Sequence, residues 1–189
     1  MEITPYSELK KGTFLIASPE INEGIFFRSV VLLCDHTPVG SIGLIINKPV
    51  EIETPNDVLS QEDLRRANIH IRAGGPNEPN QMMLIHSAKK ETEKCFEICE
   101  GVYLGGSLEF LQEAATEPNP LPVLMCLGYG GWGVGFLERE FQNGIWFTHP
   151  ASKRHIFETP PETLWQTILK EMGGKYKTLS MIPNDLDLN

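Results

Sequence analysis

Five polar residues fall inside or just beyond runs of apolar residues: Arg28, His36, Asn47, Lys48 and His86. Ligands of open sheets gather at strand ends, so side chains of these types can there converge on an anion. Arg28 stands two residues before Val30, and burying its charge in a sheet requires either a carboxylate or a ligand anion. One reading has Arg28 and Lys48 holding an anion beside two glycine turns, Gly74-Gly75 and Gly128 to Gly135. In the other, Arg28 pairs internally with a carboxylate such as Glu138, and His36 and His86 hydrogen-bond to loop carbonyls. The histidines fit the second reading better, whereas Arg28 fits both, since a buried arginine needs some partner.

The second glycine group, Gly128-Tyr-Gly-Gly-Trp-Gly-Val-Gly135, places five glycines around Trp132. Val123-Leu-Met-Cys-Leu127 before it reads as a buried strand, and Leu137-Glu-Arg-Glu-Phe141 after it has the i, i+4 apolar spacing of a helix. A strand, a glycine loop and a helix in that order can aim backbone N–H groups at a phosphate or carboxylate. Gly130, Gly131, Trp132 and Gly133 are the candidate cradle. The packing alternative is that the glycines bring the helix close to the sheet while Trp132 fills a gap.

Specific chemistries are largely excluded. Gly128, Gly130 and Gly133 satisfy G-x-G-x-x-G, yet Ile145-Trp-Phe-Thr-His149 ends without the acid that would hold a ribose. No Lys-Ser/Thr pair closes a P-loop. No G-x-S-x-G elbow and no H-E-x-x-H occurs, and His36, His70, His86, His149 and His155 lack close ligand spacing. The reading therefore assigns no catalytic residue, no metal and no cofactor.

With 16 Lys+Arg against 25 Asp+Glu, a net charge of −9 opposes direct attraction to nucleic acid or an anionic membrane. The start, Met1-Glu-Ile-Thr-Pro-Tyr, lacks the basic and apolar regions of a signal peptide, which predicts a cytoplasmic protein. The uncharged stretch Asn119 to Leu137 approaches membrane-spanning length, but Pro120, Pro122 and its glycines rule out a spanning helix. Cys34, Cys95, Cys99 and Cys126 match no zinc pattern and read as free thiols.

These residues must be positioned by a sheet. Phe14 to Ala17, Val30 to Cys34 and Ile42 to Ile46 are continuous apolar runs, which predict strands covered on both faces. Ser60 precedes a predicted helix over Gln61 to Ala67, and Ile69-His-Ile-Arg72 alternates as a strand does. Met82 to Ile85 and Cys95 to Cys99 read as two arms of a long hairpin with its tip at Lys89 to Lys94. Ser107 caps a helix through Ala115. Thr159-Pro-Pro-Glu162 reads as a capping box opening a helix from Pro160 to about Met172, with a stripe of Leu164, Trp165, Ile168, Leu169 and Met172. Residues 175–189 read as a loosely held acidic tail, and 189 residues suit one domain.

Taken in order, several blocks resemble the AlgH or YqgE-like family of bacterial proteins. They are Gly12-Thr-Phe-Leu-Ile-Ala-Ser-Pro19, Phe27-Arg-Ser-Val-Val31 with His36, and Gly40-Ser-Ile-Gly-Leu-Ile-Ile-Asn-Lys-Pro49. Gly74-Gly-Pro76, Leu84-Ile-His86, Leu127 to Gly135, Leu137-Glu138, and Trp146 with Pro150 complete the set. The resemblance implies a single α/β domain, of α+β type, with a strongly curved mixed sheet, partly barrel-like and flanked by helices. It also implies a regulatory role, and it carries over no catalytic residue. Phe136 departs from the pattern, since relatives typically have glutamine there.

The expected function is a non-catalytic regulatory or adaptor protein working through protein partners. A sensor of a small anionic ligand or nucleotide is the first alternative, and an enzyme for phosphoester hydrolysis with an unrecognised site the second. Neither composition nor pattern decides the oligomeric state.

Overall fold

A computed structural model describes residues 6–51, 61–88 and 94–183. The expected Ser60 cap, the hairpin tip at 89–93 and the last residues, 184–189, lie outside them. The described chain forms β1 (Thr13–Ala17), β2 (Val30–Thr37), β3 (Gly40–Ile45), α1 (Gln61–Arg66), β4 (Ile69–Ala73) and β5 (Asn77–His86). There follow β6 (Cys95–Cys99), β7 (Val102–Gly105), α2 (Leu108–Thr116), β8 (Val123–Trp132), α3 (Phe136–Gln142) and β9 (Trp146–Pro150). The helices α4 (Lys153–Phe157), α5 (Pro161–Met172) and α6 (Gly174–Leu179) close the chain.

The strands make one mixed, strongly curled sheet in the order β6-β7-β5-β8-β3-β2-β1-β9, with β4 added beside β8. Only the β4–β8 pairing is parallel among the described strands. Curling lets the sheet bury side chains on both faces, as the unbroken apolar runs require. Thus Phe14 and Ile16 of β1 pack with α5. Their neighbours Leu15 and Ala17 pack on the other side with Trp132, Leu137 and Trp146. A third cluster seats α1 and α2, through Leu64, Phe110 and Leu111, on β4, β5 and β8.

Ser107 caps α2 by accepting the Phe110 N–H, as expected. The stripe of α5 buries Leu164, Trp165, Ile168 and Leu169, each contributing about 1.5–3 kcal/mol of burial, while Met172 is only partly buried.

Four expectations are corrected. The helix α5 begins one residue later than predicted, with Pro160 as an N-cap lacking a side-chain bond, so Thr159 closes no capping box. Its hydroxyl instead donates to the Arg154 carbonyl. The arms β5 and β6 do not pair, because β7 lies between them. Val102-Tyr-Leu-Gly105 is a short strand, and the turn at Glu100-Gly101 folds it back on β6. The glycines from 128 to 131 form no loop: β8 runs straight through them to Trp132, paired with β3. Finally, residues 175–179 of the expected loose tail belong to the helix α6, whose Tyr176 and Leu179 pack against the core.

Candidate functional site

The expected site residues separate into three places. At the first, the two glycine groups cross. Gly74 donates to the Leu127 carbonyl at 2.7 Å and accepts from Ile45 at 2.8 Å, so it stitches β8 to β3. A Cβ on Gly75 would lie 2.1 Å from the Tyr129 carbonyl carbon, and its φ of +158° is glycine's own territory. Gly130 and Gly131 pair with Gly43 and Ile42 in the β3 ladder, so their N–H and C=O groups serve a sheet. Gly74, Gly75, Gly130 and Gly131 thus let strand backbones cross and pair, rather than bringing a helix close to the sheet.

Outside this crossing opens a cleft of about 740 Å³. Trp132 and Trp146 form its floor, both nearly buried, and their indole N–H groups donate to one oxygen of Glu140 at 2.8 and 2.7 Å. Their rings meet edge-on at 6.0 Å, and Phe26 stands edge-on to Trp146 at 5.6 Å. Gly133, the exposed ring of Phe136 and Asn77 complete the rim. Phe136 opens α3, and the Arg139 guanidinium covers its ring at 5.3 Å. His36 lies nearby on β2. It shares a hydrogen bond with the Ser41 hydroxyl at 2.7 Å, and its other ring nitrogen is 3.8 Å from Glu138, so no loop carbonyl is its partner.

The second place holds Arg28, Asn47 and Lys48, around a cavity of about 200 Å³ with Glu162 and Trp165. Glu138 is not the partner of Arg28. Its guanidinium donates to the Ile182 and Pro183 carbonyls at 2.6 and 2.5 Å and lies 4.8 Å over the Trp165 ring. Arg28 has φ +51°, and Asn47 fixes that turn by accepting the Val30 N–H at 2.7 Å and donating to the Arg28 carbonyl at 2.9 Å. Lys48 donates to the Phe27 carbonyl, and burial, then the charge of Arg28, hold its pKa below the usual lysine value.

At the third place, His86 is fully buried, 4.4 Å from the Phe110 ring and stacked on Tyr103 at 6.0 Å. Its Nε2 is 3.6 Å from the Cys95 sulfur.

Sequence reading missed Phe26, Glu140, Trp146 and Arg72. The first three become meaningful only when α3, β9 and the loop before β2 converge. Arg72 carried a readable signal, a charge within an alternating strand, of the kind that drew attention to Arg28. Among the described residues no group of three or more His, Cys, Asp or Glu could hold a metal ion. No described helix is long and apolar enough to cross a membrane.

Comparison with known proteins gives a consistent picture. Residues 14–177 match a family model described as AlgH-like. A UPF0301 protein of Chlamydia felis is 50% identical over 190 residues, covering 100% of both chains. One from Chlorobium limicola is 32% identical, covering 99% of this chain and 100% of its own. The solution structure of AlgH from Pseudomonas aeruginosa superposes with a TM-score of 0.72 at 27% identity, covering 97% and 98% of the two chains. A crystal structure of a Corynebacterium diphtheriae protein, at 17% identity and a TM-score of 0.74 over 92% of each chain, shares the fold.

Proposed function

The chain belongs to the AlgH-like family, and from that premise we propose that it is a non-catalytic regulatory or adaptor protein that docks a protein partner in the aromatic cleft. The carrying observation is the cleft itself, with apolar side chains standing in solvent at its rim. Phe136 is 55% exposed, Val134 67% and Val39 81%. Gly40, next to Val39, approaches the Trp132 carbonyl, which places the β2–β3 turn at the same corner. Apolar surface gathered beside a concave, aromatic floor is the usual composition of a protein-recognition site.

The partner places an apolar side chain between Phe26 and Phe136. Any influence on transcription is indirect, because the net charge of −9 repels DNA. Four free thiols support a reducing compartment, the cytoplasm.

A photoreactive phenylalanine analogue at position 136 tests the docking. We expect one recurring protein adduct in living cells, lost when Val134→Glu is added. Scattered adducts, or one indifferent to that charge, would overturn the proposal.

A further inference from the structure

Arg72 carries its charge almost entirely out of water. It is 8% exposed, and its guanidinium donates only to main-chain oxygens, Ile46 at 2.9 Å and Ile71 at 3.0 Å. It forms no ion pair among the described residues. Two carbonyls satisfy hydrogen-bonding geometry, but they leave a desolvated charge without an ion pair, which a fold ordinarily avoids. Burial accordingly holds the Arg72 pKa below the usual arginine value, although Cys126 and Glu162 pull in the opposite direction.

The Arg72 guanidinium lines a cavity of about 360 Å³, separate from the aromatic cleft. His70, two residues earlier on β4, lines it too, and burial, then the positive charge of Arg72, hold its pKa below the usual histidine value. Leu124, Ile156, Phe157 and Pro122 give it apolar walls. Its remaining side is the start of α5, Pro160 and Pro161. Two carboxylates, Glu158 and Glu162, also line the cavity and oppose a doubly charged anion. With Arg72 as the sole cation beside them among the described residues, a ligand here can carry no more than one negative charge, on hydrocarbon, and the volume suits a small molecule.

We propose that this cavity binds a small molecule carrying one carboxylate on an apolar body. The carboxylate meets the Arg72 guanidinium, and the hydrocarbon lies against Leu124 and Phe157. Nothing in this site depends on the docking cleft.

The test measures melting temperature and NMR shift changes of the full chain with hexanoate, hexanamide and inorganic phosphate. At ten times its dissociation constant, hexanoate should raise Tm by about 3–6 °C. Hexanamide and phosphate should fall well short of that. Arg72→Met should melt at or above the parent temperature, since it removes a buried charge, and should lose the hexanoate response. Arg72→Lys keeps a charge without the planar fork and should bind at least tenfold more weakly. Phe136→Ala should leave the response intact, so this site and the docking cleft succeed or fail separately. The proposal is overturned by any one of three results: no response to hexanoate, an equal response to hexanamide or phosphate, or a response that survives Arg72→Met.

Discussion

The two halves of β8 are made in opposite ways. Val123 to Leu127 is all side chain, buried between parallel β4 and antiparallel β5. From Gly128 to Gly131 the same strand has only Tyr129 as a side chain, and it is crossed by Gly74 and Gly75 at backbone contact distance. The first half holds by apolar contact, the second by the fit of main chain on main chain. A glycine-rich segment that looks like a ligand cradle is here the place where two backbones cannot both carry a Cβ.

Substitutions along both halves can break this comparison. The largest effect belongs to Gly75→Ala, whose Cβ would strike main-chain atoms of Tyr129 that cannot yield. A loss of about 4 kcal/mol or more is expected, read as failure to give folded protein at 37 °C. Leu124→Ala, in the half built of side chains, should cost about 2–5 kcal/mol in chemical denaturation through the cavity it leaves. Equal costs at Gly75 and Gly133 would break the contrast. Glu140→Ala strands two largely buried indole N–H donors, at the end of β8 and the start of β9, and should cost about 1–3 kcal/mol, with a change in tryptophan emission. Gly133→Ala should stay within about 0.5 kcal/mol, because its φ is ordinary and the nearest atom to the new Cβ is 3.5 Å away.

The smallest effect at neutral pH comes from Cys126, in the side-chain half. Burial pushes its thiol up to about 12, against an ordinary value of 9.0. The unfolded chain therefore releases this proton first, so stability is flat below about pH 8 and declines as pH rises from 9 toward 12. Denaturant midpoints at pH 8 and pH 10, compared with those of Cys126→Ala, check the sign.

Local rules made much of this architecture readable. Apolar runs announced β1, β2 and β3, and Ser107 announced α2, because burial and capping depend on near neighbours in the chain. The β7 insertion escaped because four residues give too little pattern to outweigh an attractive hairpin. The strand character of Gly128 to Gly131 escaped for a different reason: what glycine permits is decided by the chain that crosses it, here some 55 residues earlier in sequence. The candidate residues stood out in the sequence by type and place, yet their partners, such as the Ile182 and Pro183 carbonyls for Arg28, were legible only in three dimensions.

The pairing of β8 also governs when the molecule can take shape. This strand pairs with β3, β4 and β5 alike, across sequence gaps of about 40 to 90 residues. During synthesis, two thirds of the chain must leave the ribosome before β3 and β5 acquire their common neighbour. Until then their ladder edges stand open to other strands. Contacts this distant in sequence form slowly, so the growing chain meets its greatest risk of mispairing before residue 132 appears, and completing β8 brings that interval to an end.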